Sequence, residues 1–67
     1  MNNDIIGNNA GLIWNALNAQ NGQTVKELKK STKIKTDKPL FAALGWLARE
    51  NKIAITEEAD NIKVTLL

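Results

Sequence analysis

The chain has 67 residues, 43% of them apolar, a formal net charge of +2, and neither cysteine nor histidine. That length allows one small domain, since a chain of about 60 residues buries only about 60% of its unfolded surface. The composition excludes disulfide staples, thiolate or imidazole metal sites and histidine-based catalysis. With no apolar run near ~20 residues, it also excludes a membrane-spanning helix.

Met1 to Asp4 carry an acid and amides where a signal peptide needs a basic and then an apolar stretch. These four residues are expected to be loose, the domain to span 1–67, and the compartment to be the cytoplasm. The first helix is predicted from about Ile5 to Asn18. At ~100° per residue, Ile6, Ala10, Ile13 and Leu17 form one stripe. Ile5, Leu12 and Ala16 form a second beside it, and Trp14 flanks the first on the other side. An apolar arc that wide implies deep burial or two interfaces. Because a small chain without staples often gains stability by oligomerising, a homodimer is expected.

Asn21-Gly22 is the stop signal of that helix. Gln23 and Thr24 read as a short extra strand or as the lead into the next helix. Thr24-Val25-Lys26-Glu27 is a capping box that opens a second helix ending near Thr32. Lys33-Ile34-Lys35 makes a turn, with Ile34 plugged into the core. A third helix begins at Thr36 or Asp37, tolerates Pro39 in its first turn, and points Leu40, Ala43, Leu44 and Leu47 at the core. Asn51 ends it. Ile53 to Glu57 and Ile62 to Leu66 then alternate with period two around Ala59-Asp60-Asn61, which predicts a β-hairpin.

Helix, polar turn, longer helix and β-ribbon is the order of a winged helix-turn-helix. The TVKEL entry to the second helix, the Ile34 turn, the AALGWLARENKI end of the third and the IAI…IKVTL hairpin resemble the bacterial winged-helix superfamily. Within it, the chain is similar to a group of small stand-alone proteins of uncharacterised role. The resemblance covers Ile5 to Leu66. It implies an α+β fold of three helices followed by a two-stranded wing, in which the third helix recognises nucleic acid and the wing touches flanking backbone.

The residues support that role unevenly. Lys26, Lys29, Lys30, Lys33, Lys35 and Lys38 fall within thirteen residues, opposed only by Glu27 and Asp37. Lys30, Lys33, Lys35, Lys38 and Arg49 are the candidate phosphate contacts, although lysines also serve as an ordinary solvated face. The outward side of the third helix carries Lys38, Ala42, Gly45 and Arg49, which offers few groups to hydrogen-bond a base edge. Glu57, Glu58 and Asp60 near the wing tip repel phosphate.

Trp14, Phe41, Gly45 and Trp46 form the candidate partner interface. Phe41 and Trp46 are either core, folded onto the first helix or the wing, or an exposed apolar patch that marks a protein contact. Gly45 marks close approach of another backbone or is a neutral surface position. The acids are scattered and Ser31 has no histidine to activate it, so no catalytic constellation is expected. Two functions follow. One is a transcription-regulator-like nucleic-acid-binding domain with weak sequence readout, with DNA as partner. The other is a protein-interaction or dimerisation module. Neither calls for a cofactor or metal.

Overall fold

The Asn2 side-chain oxygen accepts from the Ile5 N–H at 3.0 Å, satisfying one of the orphan donors at a helix start. The computed structural model, which describes residues Met1–Leu67, accordingly begins its first helix, α1, at Asn3 and carries it to Ala19. Asn3 and Asp4, expected to be loose, lie in its first turn, where Asp4 faces the positive end of the helix dipole. The apolar periodicity begins only at Ile5, so it misses a start set by an asparagine cap.

Asn21 ends that helix and also ties the sheet. Its Oδ1 accepts from the Gly22 N–H at 2.9 Å and from the Leu66 N–H at 2.8 Å, forty-five residues away. Gly22 has φ 74°, a region that glycine enters without a Cβ penalty. The short strand β1 (Gln23–Thr24) follows, then α2 (Val25–Thr32) and α3 (Asp37–Arg49). The capping box predicted for α2 is complete. Thr24 Oγ1 accepts from the Glu27 N–H at 3.1 Å, and Glu27 Oε1 accepts from the Thr24 N–H at 2.9 Å.

Strands β2 (Ile53–Glu58) and β3 (Asn61–Leu66) form the wing. The antiparallel sheet has the order β1-β3-β2, with Ile53 opposite Leu66, Ile55 opposite Val64 and Gln23 opposite Val64. Three helices followed by a hairpin make the winged helix-turn-helix order expected from the sequence. Asn61, expected in the turn, is the first residue of β3 and pairs with Glu58.

One cluster of eleven buried side chains holds these layers together. α1 gives Ala10, Ile13 and Leu17, α2 gives Leu28 and the turn gives Ile34. α3 gives all four predicted residues, and the sheet gives Ile53 and Val64. The wide apolar arc of α1 is not buried throughout. Ile5 and Leu12 on one flank, and Trp14 on the other, remain between 42% and 47% exposed. The single buried polar residue is Gln23, whose amide bonds join the end of α1 to α2.

Candidate nucleic-acid interface

Leu28 is buried and Val25 half-buried, so α2 lies with that side inward. At ~100° per residue, Lys26 and Lys30 then share its outward face, while half-buried Lys29 lies nearer the Val25 edge. Lys33 closes the helix in the left-handed region, with φ 64°. Lys33, Lys35 and Lys38 are exposed around the turn into α3. Lys29 forms an ion pair with Asp37, the first residue of α3, and so ties the two helices across that turn. Thr36 is the N-cap of α3 but makes no side-chain cap bond.

The charge of the chain is segregated. Between Lys26 and Lys38, six lysines face two acids, a net of +4, while three cations face five acids elsewhere, a net of −2. Glu27 lies within this basic stretch, and its carboxyl titrates below the ordinary glutamate range. The largest cause is the hydrogen bond from the Thr24 backbone, followed by the Thr24 hydroxyl and by the charges of Lys63 and Lys30. Lys63 runs back over the start of α2. A Cβ built on Gly22 would meet its Cε at 3.3 Å. The one lysine of the hairpin is therefore drawn toward Glu27, leaving Glu57, Glu58 and Asp60 at the tip.

The outward face of α3 is laid out as its periodicity predicts. Lys38, Gly45 and Arg49 are exposed and Ala42 is half-buried. A Cβ built on Gly45 would meet nothing within 4 Å. The middle of this face therefore has no side chain that can hydrogen-bond a base, and Arg49 stands at its far end.

The four expected interface residues do not form one patch. Phe41, 41% exposed, turns toward the wing. It lines a cleft of about 490 Å³ with Val25, Lys26, Lys29, Asp37 and the wing residues Asp60 to Ile62. Trp46, 39% exposed, turns the other way, toward α1. It shares a groove of about 220 Å³ with Trp14, floored by Ala10 and Leu47 and edged by Gly7, Gly11 and Lys52. Gly45 belongs to neither cavity. The two aromatics of α3 are five residues apart, which turns them ~140° from each other around the helix. Neither is fully core and neither is freely exposed.

The sequence reading left Lys26 out of the phosphate row, although its four-residue spacing from Lys30 places the two on one face. It also passed over Gly7 and Gly11, whose four-residue spacing puts them on the Trp14 flank of α1. The chain contains no cluster of acidic side chains arranged to hold a metal ion, and no helix long and apolar enough to cross a membrane.

A three-helix domain with a hairpin wing, a basic helix-turn-helix and an outward third helix is a winged helix-turn-helix domain. The chain belongs to the family described as Winged helix-turn-helix domain (DUF2582), which it matches over residues 1–66. It is also similar to protein BT2368 from Bacteroides thetaiotaomicron, known from a solution NMR structure. The two are 36% identical, with a TM-score of 0.84, over 98% of this chain and 79% of that one. No curated protein matches the chain.

Proposed function

We propose that this domain binds nucleic acid, DNA in the first instance, as a transcription-regulator-like module with weak sequence readout. The carrying observation is the charge segregation, a net of +4 over the helix-turn-helix against −2 for the rest. Lys30, Lys33, Lys35 and Lys38 contact phosphates, Lys26 extends that row, and Arg49 meets the backbone or a guanine at the end of α3. Ala42 and Gly45 give α3 shape without base-specific donors, so affinity comes from the backbone. The acids at the wing tip keep the wing off the phosphates. The domain works in the cytoplasm as a homodimer, which presents two basic faces to one duplex.

Titration with random-sequence duplex tests this reading. About four phosphates neutralised by each protomer imply a logarithmic salt slope near −3.6 per protomer, so affinity per bound protomer falls by on the order of 100-fold between 50 and 200 mM salt. Lys35→Glu combined with Lys38→Glu abolishes binding. Absence of binding at low salt would sink the proposal.

A second reading, a protein-contact surface, is favoured by the Trp14–Trp46 groove, a largely apolar surface apart from the lysines of the helix-turn-helix.

A further inference from the structure

Two tryptophans left about 40% exposed are unusual in a chain that holds only three aromatic residues. They stand on either side of one groove, Trp14 on α1 and Trp46 on α3. Its floor is apolar, with Ala10 and Leu47 nearly fully buried. On the α1 side the wall is low because Gly7 and Gly11 have no side chains, and a Cβ built on either would meet nothing within 4 Å. The groove, about 220 Å³ in volume, has room for one indole ring, and its own rim carries two. Knob and hole are thus on the same surface, as an isologous two-fold contact requires.

Charge selects the occupant. Around the tryptophans stand Arg49 and Glu50 beside Trp46, and Lys52 at the groove edge. Two cations and one acid leave this face at +1, whereas the helix-turn-helix holds a net of +4. A polyanion is drawn to the lysines of the helix-turn-helix more than to this groove. A second copy can set Glu50 of one chain against Lys52 of the other across a two-fold axis, while Arg49 stays with the outward face of α3.

The area fits a weak contact. A tryptophan carries about 250 Å² of surface, so two at about 40% exposure leave roughly 200 Å² of aromatic surface wet. That is about a quarter of the ~800 Å² each partner buries in a standard interface, which sets the contact among the weak ones.

We infer that the Trp14–Trp46 groove is the face through which two copies of this chain pair, α1 against α1, leaving both helix-turn-helix faces free. The inference gives the proposed homodimer its surface and does not depend on nucleic-acid binding.

Sedimentation velocity from about 10 μM to 1 mM, without nucleic acid, tests it. The wild type moves from monomer toward dimer over that range. Gly11→Leu, which fills open space in the monomer, weakens pairing by at least tenfold without loss of the folded spectrum. Trp46→Ala does the same, while Phe41→Ala, on the opposite flank of α3, leaves pairing intact. A wild type still monomeric at 1 mM overturns the inference and leaves the groove to a different protein. A dimer that Gly11→Leu and Trp46→Ala leave intact but Leu12→Glu breaks also overturns it, placing the contact on the other flank of α1. Failure of the duplex titration alone leaves it standing.

Discussion

The Gln23 side-chain amide donates to the Ala16 carbonyl at 3.0 Å, and also to the Gln20 carbonyl at 2.9 Å. Its oxygen accepts from the Ser31 hydroxyl at 2.9 Å. One glutamine, 4% exposed, thereby satisfies the carbonyl end of α1 and holds it against α2, while its backbone pairs with β3. The Ala16 carbonyl keeps the Gln20 N–H at 3.0 Å and Gln20 is exposed, so the amide contributes about 0.5–1.5 kcal/mol per hydrogen bond and leaves no orphaned carbonyl when it is removed. Gln23→Leu keeps the bulk and removes all three bonds, so it is expected to destabilise the fold by roughly 2 kcal/mol. In a domain this small that lowers Tm by on the order of 10 °C. Thermal unfolding followed by circular dichroism reads it directly. A variant as stable as the wild type would mean that water replaces the amide.

The capping box makes stability depend on pH in a defined direction. Glu27 titrates lower in the folded chain than in the unfolded one because the Thr24 backbone N–H, then its hydroxyl, favour the carboxylate. A depressed carboxyl contributes stability that is present above the unfolded glutamate range and lost as pH falls through the folded value. The unfolding midpoint in urea should therefore drop between pH 5 and pH 3. Glu27→Gln keeps the geometry of the box without the titration, so its pH profile should be flatter than that of the wild type. Parallel profiles would assign the acid sensitivity to other carboxylates.

Most of the architecture was legible because local signals and tertiary burial agree. The Thr24–Glu27 box, the Ile34 plug and the four apolar positions of α3 each combine a short-range preference with a core position. What escaped the reading depends on contacts far apart in sequence. Gln23 reads as an ordinary polar residue until β1 pairs with β3 and places its side chain over the end of α1. Asn21 stops the helix in the sequence, but its bond to Leu66 exists only once the sheet has formed. The candidate interface was half legible for the same reason. Helical spacing puts Phe41 and Trp46 on either edge of the outward face. Only the positions of the wing and α1 show that each belongs to a different cavity.

Gly45 stands exposed in the middle of the outward face of α3, with open space where a Cβ would be. Glycine inside a helix is about 1 kcal/mol less favourable than alanine, so Gly45→Ala is expected to stabilise the fold by up to that amount. Tm then rises by about 4–8 °C. Because phosphate contacts carry the proposed affinity, binding to random duplex should stay within about twofold of wild type. A tenfold loss with a raised Tm would instead mean that a nucleic-acid backbone or a partner helix passes directly over Gly45.

Lys33 separates folding from binding most sharply. It caps α2 at φ 64°, a left-handed conformation that costs a residue with a Cβ about 1–2 kcal/mol and that glycine adopts freely. Part of that gain is returned through the greater freedom of glycine in the unfolded chain, so Lys33→Gly should stabilise the fold by roughly 0.5–1 kcal/mol. The same change deletes one proposed phosphate contact, so the logarithmic salt slope for duplex binding should become shallower by about 0.9. Lys33→Ala provides the control, since it keeps the backbone strain and removes the charge. It should lose the same salt slope with no gain in Tm. If Lys33→Gly binds duplex with an unchanged slope, Lys33 makes no phosphate contact, and the basic face begins on the helices to either side of it.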